Sequence, residues 1–174
     1  MSPPSAGLRP AVFPRFASLT YEALAVAAIL LAGTLVFVGA VAAISAVAGI
    51  PTPPASAALE RVLLQGFLLL LLGAYFVPCW TRGGQTLAMK AWKLRLVRPD
   101  GGALTRGAAI IRFAIAGLLL GAGATAAIWL WRHPGSVYGW AAAVPATIDL
   151  AWIAFDRERQ FLHDRLARTR VVRA

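Results

Sequence analysis

Four ionisable side chains inside or beside the apolar stretches of this sequence are candidates for chemistry, namely Arg15, Glu22, Arg112 and Asp149. Because a charged group in hydrocarbon costs about 2.5–3.5 kcal/mol on insertion scales, such residues are functional candidates by default. A carboxylate in that setting can bind a proton or a cation, whereas an arginine can pair with it or extend towards lipid headgroups. These residues therefore predict either proton or cation transfer or the mutual neutralisation of buried charges.

Arg15 and Glu22 are seven positions apart and share one face of a helix. Their axial separation is about 10 Å, so we expect separate partners: headgroups for Arg15, and a neighbouring arginine or a transported ion for Glu22. Asp149 lies six residues before Phe155, the end of its apolar stretch, which places it roughly 9 Å inside that boundary. Arg112 is expected near the same leaflet, and we predict an ion pair between Arg112 and Asp149.

Other chemistry has little support in the sequence. His163 and Asp164 are adjacent, but the second histidine, His133, is predicted on the opposite side of the bilayer, so no metal site is predicted. Gly83-Gly84-Gln85-Thr86 lacks the lysine and the spacing of a phosphate-binding loop. Since nucleophile-elbow and zinc signatures are also missing, we predict neither an enzyme nor a bound cofactor.

Four long apolar stretches must position these residues, and the composition indicates a membrane protein. Of the 174 residues, 59% are hydrophobic and 14% are charged, whereas soluble domains average about 45–50% and about 25%. A hydrocarbon core about 30 Å thick is crossed by roughly 20 residues of helix, and the sequence offers that length at about 16–50, 62–80, 107–131 and 137–155. The predicted fold class is an all-α membrane protein with four transmembrane helices.

Two features of these stretches bear on helix packing. Gln65 is the one strongly polar side chain of the second stretch. Gly117 and Gly121 form a Gly-x-x-x-Gly pattern in the third stretch, which lets helix backbones approach closely. We expect this pattern to serve either packing within the chain or the seam of a homodimer.

The segments outside the stretches are more polar. Residues 1–14 form a Pro-rich arm that precedes the first helix, and residues 156–174 form a basic tail. Residues 15–172 are predicted to be a single membrane domain.

The segment of residues 81–106 joins the second and third stretches. Its apolar positions at helical spacing predict a short interfacial helix, followed by strand character at 94–97 and a turn at 100–102. A hairpin over 93–104 is left open, because periodicity alone cannot decide it.

Positive charge is distributed unevenly over these segments. Fifteen of the 17 Lys and Arg residues lie in residues 1–15, in residues 81–112 or in the tail, and the other two are Arg61 and Arg132. Because basic loops are retained in the cytoplasm, we predict that both termini and the segment 81–106 are cytoplasmic. The predicted partners are the bilayer and its anionic headgroups rather than nucleic acid, with a homo-oligomer or a membrane-protein partner left open.

Three blocks of residues carry a family pattern. They are Arg15-Phe16-Ala17 followed by Glu22, residues 83–97 with Asp100-Gly101-Gly102, and residues 156–172 with their His-Asp-Arg and Thr-Arg-Val sequences. Together they resemble the RDD family of bacterial membrane proteins, which is named for an arginine and two aspartates. In that resemblance Arg15 matches the arginine, Glu22 replaces the first aspartate, and Asp164 corresponds to the second.

The resemblance implies a multi-pass inner-membrane protein without an established catalytic site, and cation/proton exchange has been suggested for members. Arg168 stands where many members have glycine, at the end of a predicted helix. We expect the central and final blocks to dock on each other and on Arg15, with Asp164 contacting Arg15. The predicted polar network comprises Arg15, Glu22, Gln85, Thr86, Arg112, Asp149, His163, Asp164 and Arg165.

Two functions of different classes follow from these residues. The first is a structural or interaction subunit of the membrane, and the alternative is a proton- or cation-coupled transporter that acts as an oligomer through Glu22 and Asp149. If each of these carboxylates is buried in an ion pair with an arginine, the subunit is favoured. If the two carboxylates line one water-accessible cavity, transport is favoured.

Overall fold

The computed structural model describes residues 12–49 and 57–174 of the chain. The elements in chain order are α1 Val12–Ala48, α2 Ala57–Arg82, α3 Leu87–Ala91, β1 Leu94–Val97, α4 Arg106–Arg132, α5 Val137–Phe155, α6 Leu162–Leu166 and β2 Arg170–Arg173. By length and composition, α1, α2, α4 and α5 can each cross a membrane. The prediction of four such helices is confirmed.

The first helix begins earlier than the predicted opening at Arg15. α1 starts at Val12 and includes Pro14 in its first turn. Proline is tolerated there because its missing N–H would have no acceptor within the helix. Residues 1–11 of the predicted arm lie outside the described residues.

Glycines allow close helix contacts at positions other than the predicted pattern. A Cβ added at Gly33 of α1 would lie 2.7 Å from a leucine side chain of α2, and one added at Gly139 of α5 would lie 2.7 Å from a leucine side chain of α4. A Cβ added at Gly117 or Gly121 would meet nothing within 4 Å. Within the described residues, the Gly-x-x-x-Gly pattern therefore does not serve packing inside the chain.

The elements α3, β1, α6 and β2 lie at one end of the long helices and are called the cap here. β1 and β2 pair antiparallel, with Leu94 opposite Arg173 and Leu96 opposite Val171. The short helix and the strand predicted in the central segment are confirmed, and the hairpin over 93–104, which the sequence left open, does not form. Residues 98–102 do form a turn, yet the strand that pairs with β1 comes from the tail.

The buried apolar core also lies in the cap and at the adjoining ends of the long helices. Its members are Trp80, Met89, Leu94, Leu96, Leu104, Ala109 and Val171. Gly84 has a φ of +68° and its carbonyl accepts the N–H of Leu96 at 2.7 Å. This contact fixes β1 beside the end of α2, and the sheet in turn places β2 and α6 beneath the helices.

Candidate functional site

The tail reaches the cap through a turn that begins at Asp156. The Asp156 carboxylate accepts the backbone N–H groups of Glu158 at 3.0 Å and Gln160 at 2.9 Å, and Arg165 donates to it at 2.8 Å. Burial favours a higher pKa for Asp156, but these hydrogen bonds outweigh it, so the pKa is lowered. The turn directs α6 back under α4 and α5.

Asp164 of α6 lies at the centre of the site and is fully buried. Its carboxylate forms ion pairs with Arg112 and, at 3.5 Å, with Arg15, and it accepts the N–H of Phe161 at 3.2 Å. Burial alone would raise the pKa of Asp164, but the positive charges around it, above all Arg112, lower it below its usual value. The predicted contact between Asp164 and Arg15 is confirmed, and the expectation that Arg15 extends to headgroups is wrong, because its side chain is buried against the tail.

The two arginines bind further groups of the tail. Arg112 donates to the Thr169 hydroxyl at 2.9 Å and lies over the Trp80 ring, 5.0 Å from its centroid. Arg15 donates to Gln160 Oε1 at 2.9 Å and to the Val171 carbonyl at 2.6 Å. Both side chains are buried, so α1 and α4 are each joined to the tail through a desolvated guanidinium.

Asp149 of α5 binds His163 rather than Arg112. The carboxylate lies 2.8 Å from His163 Nδ1 and accepts the backbone N–H of His163 at 2.7 Å. The predicted direct pair between Arg112 and Asp149 is therefore wrong, because α6 places the His163 ring between them, with Nε2 3.4 Å from Arg112. Nε2 also lies 3.4 Å from an Asp164 carboxylate oxygen, so the ring contacts Asp149 on one side and both Arg112 and Asp164 on the other.

Glu22 of α1 lies in a second, smaller cluster. Its carboxylate accepts the hydroxyl of Thr86 and that of Tyr75, the latter at 3.3 Å. Glu22 forms no ion pair among the described residues, so the expectation of an arginine partner is wrong. Thr86 also accepts the Met89 N–H at 3.2 Å as the N-cap of α3, and Gln85 donates to the Leu94 carbonyl at 2.7 Å.

One predicted member lies outside the buried site. Arg165 is at the surface, where it pairs with Asp156 and, at 3.2 Å, with Glu158. Its hydrogen bond with Asp156 raises the pKa of the Arg165 guanidinium. Gln160 and Thr169 were not predicted as site residues, although both are buried and both bind an arginine. Thr169 belongs to the family-like Thr-Arg-Val sequence, whereas Gln160 carries no comparable signal.

The residues assembled around Asp164 are called the charged network here: Arg15, Arg112, Asp149, Gln160, His163, Asp164 and Thr169. Its two guanidinium groups equal its two carboxylates in number. Throughout residues 12–49 and 57–174, no group of three or more His, Cys, Asp and Glu side chains is arranged to hold a metal ion. The geometry can hold the cap-end termini of α1, α4 and α5 together.

Comparison with known proteins gives one match. The sequence model of the RDD family matches residues 9–168, which include every residue of the charged network except Thr169. No curated protein and no solved structure matches the chain.

Proposed function

This chain belongs to the RDD family of membrane proteins, and on that premise we propose that it is a structural or interaction subunit of the bacterial inner membrane. In this proposal the cap and both termini face the cytoplasm, because the basic segments lie at the cap end of the helices. The chain performs no catalytic step of its own and carries no cofactor.

The burial of the charged network supports this function best. Arg15, Arg112, Asp149 and Asp164 are each at most 6% exposed, and each is paired within the chain. A carrier site must exchange its ion or proton with water, whereas these groups are sealed against one another. Their geometry fits a set of ion pairs and hydrogen bonds that joins the cap-end termini of α1, α4 and α5.

The outer surface of the cap would provide the interaction. The exposed basic side chains of the cap and of the segments that adjoin it include Arg82, Lys90, Lys93, Arg95, Arg106, Arg159, Arg168 and Arg173. Each such charge near an anionic membrane surface contributes about 1 kcal/mol of attraction. Anionic lipid headgroups are therefore the partner that the charge of this surface fits.

Lipid composition tests the proposed partner. We expect the thermal midpoint of the protein to be higher in nanodiscs with phosphatidylglycerol than in phosphatidylcholine alone. Lys90→Gln with Lys93→Gln should reduce that difference, and Arg132→Gln, at the opposite end of α4, should not. An equal midpoint in both lipids would contradict the assignment.

Thiol accessibility tests the orientation. In a Cys79→Ser background, a membrane-impermeant thiol reagent added to intact cells should label Arg132→Cys and should spare Lys93→Cys. The reverse pattern would refute the cytoplasmic placement of the cap.

One observation favours the alternative of oligomeric proton- or cation-coupled transport. Glu22 lies in the first spanning helix, is only partly buried, and is held by hydroxyl groups rather than by a basic residue among those described. Purified protein in liposomes with a pH-sensitive dye separates the two functions. We expect no cation-dependent proton flux. Flux that disappears in Glu22→Gln or Asp149→Asn would instead establish transport.

A further inference from the structure

The helices α2 and α4 contact each other near the cap and expose their facing positions farther from it. Near the cap, the rings of Phe76 and Phe113 are 6.0 Å apart, and a Cβ added at Gly73 would lie 3.8 Å from Phe113. Leu69 and Gln65 lie on the same face of α2, one and two turns farther from the cap, and both are exposed. These positions of the two distal halves therefore do not cover each other, and the space between them is called the cleft here.

Small residues line the α4 side of this cleft. Gly117, Gly121 and Ala124 continue the face of α4 on which Phe113 lies. Gly117 and Ala124 are exposed, and a Cβ added at either glycine would meet nothing within 4 Å. These glycines have no packing role within the described chain, but they leave room for the backbone of another helix.

The α2 side of the cleft carries an unsatisfied polar group. The exposed Gln65 amide has no hydrogen-bond partner among the residues that the structure describes. It lies four residues inward of Arg61, or about 6 Å along the helix. Since lipid tails cannot hydrogen-bond, an amide at this depth is stabilised by a partner from a neighbouring helix.

We propose that this cleft is the interface with a second copy of the chain, in which α2 of each copy enters the cleft of the other and the two Gln65 amides hydrogen-bond. An amide carries both donors and acceptors, so two copies related by a twofold axis satisfy each other. The proposal adds a partner to the proposed subunit and rests on the same membrane placement. Its test is nevertheless independent of the tests of the proposed function, because the flux assay and the cap variants do not report on contacts in the cleft.

Cysteine cross-linking of adjacent positions tests the interface. Leu69 and Leu70 are 60% and 76% exposed, but only Leu69 lies on the cleft face. In purified Cys79→Ser protein reconstituted into liposomes, mild oxidation should give a disulfide-linked dimer from Leu69→Cys and only monomer from Leu70→Cys. Equal cross-linking at both positions, or none at position 69, would overturn the proposal.

Replacement of the amide tests the hydrogen bond itself. In the Leu69→Cys background, Gln65→Leu should lower the dimer association constant about tenfold, whereas Gln65→Asn should retain most of it. The thermal midpoint of the Gln65→Leu monomer in detergent should match wild type, because the side chain has no hydrogen bond to lose there. Cross-linking that is unchanged by Gln65→Leu would overturn the proposal.

Discussion

Removal of the negative charge at Asp164 is the sharpest perturbation of the charged network. Asp164→Asn retains the shape of the side chain but leaves Arg15 and Arg112 without their shared carboxylate. Neither guanidinium can turn to water, since Arg15 is 2% exposed and Arg112 is 6% exposed. The variant therefore holds two buried positive charges against the single carboxylate of Asp149.

The expected cost follows from that burial. Removing one partner of a buried ion pair destabilises a protein by about 3–5 kcal/mol, because the other charge stays desolvated. The asparagine carbonyl can still accept one hydrogen bond from Arg112, so we expect the loss of unfolding free energy to lie near the lower end of this range. A loss of about 3 kcal/mol corresponds to roughly a 150-fold larger unfolding constant.

Unfolding in mixed detergent and SDS micelles, followed by tryptophan fluorescence, measures this loss. The buried Trp80 beside Arg112 should report on the cap. Asp100→Asn is the matched control, because Asp100 forms an exposed ion pair with Arg98 and the asparagine can still accept the Gly102 N–H. That variant should change the unfolding free energy by less than about 0.5 kcal/mol.

Two results would refute the reasoning. The first is an Asp164→Asn variant whose unfolding free energy lies within about 1 kcal/mol of wild type. The second is additivity in a double-mutant cycle of Asp164→Asn with Arg112→Gln, since groups in direct contact should show a coupling of about 0.5–3 kcal/mol.

Three further predictions concern the cap, each measured by the same unfolding assay. The pKa of Asp164 is lowered on folding. The stabilisation that its negative charge provides is therefore complete above about pH 4 and is lost as the pH falls through the pKa of the folded protein. Asp164→Asn should abolish this loss. Gly84→Ala should destabilise the protein by more than about 1–2 kcal/mol, which is about twice the cost expected for Gly101→Ala. Both glycines have a positive φ, but only at Gly84 would the added Cβ meet another atom, the Leu96 carbonyl oxygen at 2.8 Å. Arg168→Gly should stabilise by about 0.5–1 kcal/mol, since Arg168 is exposed and has a φ of +51°.

The spanning helices could be predicted from the sequence because bilayer thickness imposes a length and an apolar composition on each of them. Their ends were less accurate. α1 includes Pro14, since the first turn of a helix tolerates proline, and α2 continues past Pro78 to Arg82. The short helix α3 was also predicted, because its apolar residues recur at helical spacing.

The pairing of charges could not be predicted from the positions of residues along the spans. Arg112 and Asp149 were expected at similar depth, but depth does not show that α6 folds back between them. The pairing of β1 with β2 joins Val97 to Arg170, residues that no local spacing relates. The family-like blocks did contain both Asp164 and Thr169, and the contact with Arg15 was predicted from that resemblance.

The placement of the charged network explains how helices that hardly bury one another can keep a fixed arrangement. Across the most apolar window of each spanning helix, at most 17% of the residues are buried inside the chain. Lipid tails are as apolar as these side chains, so no hydrophobic force drives the helices together in the bilayer. The apolar core and the paired charges lie at the cap, where water provides that force and where unpaired charges are costly. Arg15, Arg112 and Asp149 each join a different spanning helix to α6 or β2, so the cap holds the cap-end termini of these helices in register.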